Sequence, residues 1–290
     1  SKSIDILRNH PYIDEIFAYK NKQEKKRIIN EIKEKEYTEA IIVDGRLSST
    51  IIAWKAKCKL LNKGFCISIN KKHIFERKNL AQKAIDDFAM YAKTLLNIDY
   101  DKNELYPLIG KCDNGKEEII KNWAESIKKE TKDIVLIVPR TAANIKNWNI
   151  HELGKLNSYL NLEGIKPVYI GSPNDYEYIE RIAGEKINIA GKFALRDIPE
   201  IAKYAKWALS MCTGPLHILG TVKSLPIIAI YGPSDPKRWA PKSSIVVQSN
   251  LECVPCLNWA KCDKELGQRC MDEITFERVK SVIEEYNLLK

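Results

Sequence analysis

The chain has 290 residues, 44% of them hydrophobic and 29% charged. That balance belongs to a soluble globular protein long enough for two domains of ordinary size, each with its own core. No run of about 18 apolar residues occurs, which excludes a membrane-spanning helix, and Ser1–His10 does not read as a signal peptide. Lys and Arg outnumber Asp and Glu by 47 to 38, a formal net charge of +9. The surplus suits anionic partners such as nucleotide sugars, phosphorylated lipids or a membrane face. Nucleic acid is disfavoured, because the lysines are scattered over helix faces without interleaved aromatic residues.

In chain order, Glu39–Asp44 (EAIIVD) predicts a strand that ends in Asp44-Gly45-Arg46, and Leu47–Lys57 a helix. Residues 79–96 carry apolar side chains at Leu80, Ala84, Ile85, Phe88, Ala89 and Ala92, the period of an amphipathic helix. The polar stretch Tyr100–Lys116, with Pro107, Gly110 and Gly115, reads as an interdomain linker. The expected division is therefore a domain over 1–116 and a second over 117–290. The second begins with a helix at Glu117–Glu130 and a strand at Asp133–Pro139. A helix at Ile150–Leu162, a strand at Pro167–Ile170 and a helix at Asp175–Ala183 follow. A short strand near Ile187–Ala190 and a helix at Asp197–Ala205 precede strands at Trp207–Met211 and Leu225–Tyr231. Alternating strands and helices predict parallel sheets, with ligands at the carboxyl ends of the strands. The pattern by itself supports two α/β domains.

Ser210–Pro241 concentrates the chemistry. A strand that ends in Cys212-Thr213-Gly214 and opens a helix presents unpaired backbone N–H groups suited to a phosphate. Thr213 adds a hydroxyl donor, Pro215 follows Gly214, and His217 lies about one helical turn further on. The alternative for His217 is a core histidine closing strand–helix packing. Lys146, in the loop after Asp133–Pro139, is placed to neutralise a diphosphate; otherwise it is a solvated surface lysine. Thr141 is either a phosphate contact or the cap of its own turn. After Gly171, Asp175 or Glu177 can accept from the two hydroxyls of a ribose, with Glu177 preferred and a helix N-cap as the alternative for Asp175. Gly232, Ser234 and Asp235 form a loop that is either structural or part of the site, and Arg238 and Trp239 are read as shaping it.

Several of these segments together resemble glycosyltransferase family 9, the lipopolysaccharide heptosyltransferases. Thr213-Gly214-Pro215 with His217 and Gly232-Pro233-Ser234-Asp235-Pro236 are similar to the family's D-T-G-P-x-H and G-P-T-D-P. Val138-Pro139-Arg140-Thr141, Lys146-Asn147-Trp148, Gly171-Ser172-Pro173 and the Cys-x-x-Cys at Cys253 extend the match in the right order. The resemblance implies a GT-B-like fold of two Rossmann-like α/β domains facing across a cleft, the donor held by the C-terminal one. It implies metal-independent, inverting transfer of a heptose-type sugar from a nucleoside diphosphate, ADP by expectation, to a lipopolysaccharide core acceptor, and no cofactor. Thr141, Lys146, Asp175, Glu177, Cys212, Thr213, Gly214, Pro215 and His217 would hold the donor, with Lys146 stabilising the leaving diphosphate. Asp44, Arg46, Lys71, Lys72 and Arg77 would face the acceptor, with a solvated surface as the alternative for each. A cytoplasmic protein in peripheral contact with the inner membrane is the implied location.

Two departures stand out. The family places an Asp where this chain has Cys212, and a thiol accepts hydrogen bonds as an anion only with a lowered pKa. The family also opens with a strand, a loop and a helix ahead of the equivalent of Lys2–Leu7, and its proposed catalytic base sits in that loop, so no residue here is assigned that role. A nucleotide-sugar epimerase or phosphorylase of similar fold, or a non-catalytic nucleotide-sugar-binding homologue, are the alternatives. Four of the eight cysteines fall at Cys253-x2-Cys256-x5-Cys262-x7-Cys270, a cluster that can bind zinc, form disulfides or stay reduced.

Overall fold

The structure, a computed structural model, describes residues 2–42, 47–61, 93, 97–99, 101, 106–258, 262 and 269–290. The chain divides into two compact units, Ile13–Leu105 and Lys2–Tyr12 with Tyr106–Lys290. In the first, helix α2 (Lys22–Glu34) starts at Asn21, whose side chain accepts from Glu24 N at 2.8 Å. Strands β1 (Glu39–Ala40) and β2 (Lys59–Leu60) pair in parallel around helix α3 (Leu47–Lys55). That helix stops two residues short of the expected Lys57, because Lys57 turns into the left-handed region (φ 63°) and Cys58 N closes back on Ala53 O at 3.0 Å. Asp44, Arg46, Lys71, Lys72, Arg77 and most of the expected helix over 79–96 lie outside the described residues.

The second unit is built on a six-stranded sheet, all pairs parallel: β3 (Asp133–Val138), β4 (Ile165–Tyr169), β5 (Ile187–Asn188), β6 (Trp207–Met211), β7 (Ile227–Tyr231) and β8 (Ser244–Gln248). Their order across the sheet is β5-β4-β3-β6-β7-β8. The chain thus winds outward from β3 to one edge, returns, and winds outward from β6 to the other, the doubly wound pattern. Because consecutive side chains point to opposite faces, near-continuous apolar strands require cover on both. Val135 and Ile137 pack with Leu153, Leu156 and Leu160 of helix α5 (Ile150–Leu162) and Val279 and Ile283 of helix α11 (Phe276–Glu285). Ile134, Leu136 and Val138 pack with Ile120 and Ala124 of helix α4 (Lys116–Lys128), Ile198 and Ile201 of α7 (Ile198–Ala202), and Leu216 and Leu219 of α8 (Gly214–Leu219). Short helices α6 (Tyr176–Glu180), α9 (Pro236–Trp239) and α10 (Arg269–Asp272) complete the unit. The sequence pattern does not single out α2, β2, β8, α9, α10 or α11.

The division departs from the expected border at residue 116. The segment Lys2–Tyr12, with helix α1 (Lys2–Asp5), and the stretch Tyr106–Gly115 both belong to the second unit. Their anchor is Arg196, only 6% exposed, whose guanidinium pairs with Asp5 and Asp113. Gly110 N donates to Ile6 O at 2.7 Å, and Asn9 Nδ2 to Asp113 Oδ1 at 3.1 Å. A β-carbon on Gly110 would lie 1.5 Å from the Arg8 carbonyl oxygen. Gly110→Ala must therefore separate the two segments, and we expect it to lower stability by about 2 kcal/mol or more in urea unfolding, where a remote surface Gly→Ala such as Gly115→Ala, at an open position, acts through its positive φ alone.

Candidate functional site

The site follows from strand order. Loops after β3 and β6 leave the sheet in opposite directions, which opens a crevice at the carboxyl ends of these two strands. The β3 loop is Pro139–Asn149. Within it the Thr141 hydroxyl donates to Ala143 O (2.7 Å), and Ala143 N donates to the same hydroxyl (3.2 Å). Thr141 N donates to Asn147 Oδ1 at 2.7 Å, closing the loop around a 3₁₀ turn at Asn144–Lys146. Trp148 is buried to 1% and its indole N–H donates to Ile274 O, so the loop is bolted to the chain ahead of α11. The Lys-Asn-Trp triplet thus has a local logic: Asn147 and Trp148 hold the loop, and Lys146 is carried on it.

Lys146 crosses the crevice. Its Nζ donates to the Cys212 carbonyl oxygen at 3.0 Å, joining the end of β3 to the end of β6. Thr213 is the N-cap of α8 in extended conformation (φ −149°, ψ 170°), without a side-chain capping hydrogen bond. Gly214 is exposed, and a β-carbon there would meet nothing within 4 Å, so the approach to the first N–H groups of α8 is open. Pro215 sits in the first turn, where its missing N–H costs nothing. His217 is exposed, with its ring edge-on to Trp239 at 6.4 Å and 72°. Crowding by neighbouring atoms and then the Lys146 charge lower its pKa from the usual 6.5.

The structure separates the two candidate carboxylates. Asp175 Oδ2 accepts from Ser172 N (2.8 Å) and Ser172 Oγ (2.7 Å), while Arg140 Nη1 approaches Oδ1 at 3.3 Å. Oδ2 serves the turn after β4, and Oδ1 ties that turn to Arg140 at the end of β3. Glu177 is exposed and makes no side-chain hydrogen bond or ion pair among the described residues. Thr141 likewise spends its hydroxyl on its own turn. The Gly232–Pro236 loop is internally tied: Gln248 Nε2 donates to Gly232 O (3.1 Å) and Ser234 O (3.0 Å), and buried Asp235 caps α9 by accepting from Lys237 N (2.9 Å). Arg238 lies over the Trp239 ring at 5.5 Å.

Three features of the site go beyond the sequence pattern. Arg140 pairs with Asp175 and lies over Tyr178 at 5.4 Å; its position at the end of β3 was the available signal. The Cys212 backbone carbonyl, and not its side chain, receives Lys146. Tyr231, at the end of β7, is fully buried, and its hydroxyl has no hydrogen-bond partner among the described residues. Burial, and then the adjacent Cys212 and Asp235, push its pKa up. Cys270 is half-buried, and burial followed by Cys256, Cys253 and Cys262 pushes its thiol up to about 11.

A doubly wound parallel sheet with a lysine and an open helix start at its switch point defines a Rossmann-type α/β unit of the GT-B-like class. The profile of Glycosyltransferase family 9 (heptosyltransferase) matches residues 26–266, and the chain belongs to that family. It is a glycosyltransferase. It is 24% identical over 273 residues to Lipopolysaccharide heptosyltransferase 1 of Campylobacter coli, covering 83% of this chain and 75% of that protein. Its fold is similar to glycosyl transferase family 9 from Veillonella parvula DSM 2008, with TM-score 0.72, 19% identity, and coverage of 99% and 86%. The E. coli heptosyltransferase WaaC, solved with ADP-2-deoxy-2-fluoro heptose, is similar at TM-score 0.62 and 18% identity, with coverage of 93% and 79%.

The His217 environment is directly measurable. With its folded pKa below the unfolded value, the unfolded chain binds the extra proton first, so His217 costs stability as pH falls below about 6.5. NMR titration is expected to place its midpoint under the ordinary value, and Lys146→Met to move it upward. An unchanged midpoint in that variant would remove Lys146 as a cause.

Proposed function

We propose that this chain transfers a heptose-type sugar from a nucleoside diphosphate donor, with ADP as the nucleotide, to a hydroxyl of a lipopolysaccharide core acceptor. The observation that carries this reading is the Lys146 ammonium spanning the switch point beside the open start of α8. Glycosyl transfer leaves negative charge on the departing diphosphate, and a preplaced cation stabilises that charge as it develops. In the proposed complex Lys146 meets the diphosphate, assisted by Thr213 and the N–H groups that follow Gly214 and Pro215. His217, neutral at neutral pH because its pKa is lowered, offers one N–H to a phosphate or sugar oxygen. The exposed Glu177 takes the two ribose hydroxyls, while Asp175 and Thr141 hold the loops that present these groups. Cys212 stands where the family has a carboxylate, which removes one acidic side chain from the donor site.

The transfer is read as inverting and metal-independent. An Asp-x-Asp triplet, Asp99-Tyr100-Asp101, straddles the start of the expected linker, but Asp99 pairs with Lys93 and the proposal gives the triplet no role. Deprotonation of the acceptor hydroxyl is assigned to none of the residues named. Lys71, Lys72 and Arg77 are proposed to meet acceptor phosphates from the N-terminal domain, with Asp44 and Arg46 as further acceptor contacts. No described helix is long and apolar enough to cross a membrane, and the net charge of +9 suits a protein that visits the cytoplasmic face of the inner membrane from solution.

Calorimetry with ADP, UDP, GDP and CDP tests the donor site. ADP is expected to bind selectively, and Lys146→Ala to weaken it about 10- to 100-fold, the worth of one charge-assisted hydrogen bond. Glu177→Gln is expected to weaken ADP with little change in melting temperature, and Asp175→Asn to lower the melting temperature first. Equal ADP binding by Lys146→Ala would displace the pocket, and ADP binding without sugar transfer to a lipopolysaccharide core would favour the non-catalytic reading.

A further inference from the structure

Helix α3 packs against the usual rule for an amphipathic helix. Its small side chain Ala53 and the following Ala56 are buried, whereas Leu47 and Trp54 are each 71% exposed and Ile51 36%. Spacings of four and three residues put Leu47, Ile51 and Trp54 on one stripe about 60° wide. Exposed apolar residues scattered singly are ordinary on a globular surface, but a stripe that ends in a tryptophan is not. Among the described residues, no other helix exposes three large apolar side chains. The stripe has no part in the transfer just proposed.

Basic groups border it at both ends. Lys55 and Lys57 are exposed where the helix stops. At its start, Lys25 Nζ donates to Ser48 O at 3.4 Å and lies 5.6 Å from the ring of Tyr19, which is itself exposed. The surrounding sequence has the same sign. Gly45–Phe75 holds seven Lys or Arg and no Asp or Glu, in a chain whose overall ratio is 47 to 38. Glu39 meets Lys59 at 3.5 Å, but this exposed pair offsets little of that charge.

We propose that this face of α3 docks the first unit on an anionic phospholipid bilayer. Leu47, Ile51 and Trp54 enter the boundary between headgroups and acyl chains, and Lys25, Lys55 and Lys57 meet lipid phosphates. The inference rests on the reading of a lipid-borne acceptor and names the surface by which the chain reaches it. Three properties select a bilayer over a protein groove. Tryptophan settles at membrane interfaces, where its ring meets acyl chains and its N–H stays wet. Lysine stems lie along apolar surface while their ammonium heads stay at the level of the phosphates. A one-signed border complements a plane of anionic headgroups, whereas the cores of protein interfaces are depleted in lysine. With nine residues the helix is too short to span and lies in the interface plane. One such stripe gives reversible binding that needs both its apolar and its electrostatic part.

The test floats the whole chain with vesicles of phosphatidylcholine alone, and of phosphatidylcholine with an equal part of phosphatidylglycerol. Flotation is expected on the anionic vesicles only, and is expected to decline as salt is raised. Leu47→Ser with Trp54→Ser is expected to weaken it about tenfold or more, and Lys55→Glu by a similar factor, with circular dichroism unchanged. Leu162→Ser alters an exposed leucine of the other unit and is expected to leave flotation as it is. Lipids brominated on their acyl chains are expected to quench tryptophan fluorescence in the parent chain. That quenching is expected to disappear in Trp54→Phe, which keeps an aromatic anchor. No flotation of the parent on anionic vesicles, equal flotation on neutral ones, or undiminished flotation of the α3 variants would overturn the proposal. So would a dimer of the parent chain that Trp54→Ser dissociates, since the stripe would then join two copies. Calorimetry with ADP on the same variants is expected to be unchanged, so failure of docking is distinguishable from failure of the donor reading.

Discussion

The pairing of β3 with β6 is the constraint on which the rest depends. These strands are neighbours in space but are separated in sequence by two strand–helix excursions, and they run parallel over Val135–Val138 and Trp207–Ser210. Parallel pairing forces every connection to cross over a face of the sheet, so both faces acquire helices and all strand ends of one polarity gather on one side. The excursions before and after this pair go opposite ways. The crevice is therefore a product of topology before any side chain is specified, and Lys146 reaching Cys212 O spans it.

Around that crevice, polar side chains divide into those that hold loops and those that face outward. Thr141, Asn147, Asp175 and Asp235 are buried or half-buried and bond to backbone or to side chains of the loops they hold. A buried polar group without a partner is costly, and these groups find theirs within a few residues. Gly214, His217 and Glu177 keep their exposed faces. Rigid loops that carry a few outward groups are what preorganised recognition of a charged ligand requires, because little ordering is left to do when the ligand arrives.

The periphery of the C-terminal unit is secured by different means on its two sides. At one, Arg196 gathers Asp5 and Asp113, and the intimate backbone contact at Gly110 lets the first residues of the chain pack with residues after 105. Arg196 is the buried member of this cluster, so removing it would free both acids, whereas removing either acid leaves the guanidinium one partner. At the other, β8 and α11 are fixed by apolar packing and by Trp148 donating to Ile274 O.

Much of the C-terminal unit was legible from local pattern. The runs Asp133–Val138, Trp207–Met211 and Ile227–Tyr231 are apolar on both pleat faces, and such runs have no stable place except inside a parallel sheet. The spacing of Lys146, Thr213, Gly214 and His217 announced loops at strand ends, and those loops meet. Local sequence could not decide which acid is spent on its own turn, since Asp175 and Glu177 differ by two positions and only the placement of Ser172 and Arg140 separates them. Nor could it foresee that residues 2–12 join the second unit, because the Arg196–Asp5 pair spans 191 positions. Strand period, turn chemistry and the order of motifs are properties of neighbouring residues and are written in the sequence. Which polar group is satisfied internally and which is left for a ligand depends on partners brought together only by the closed fold.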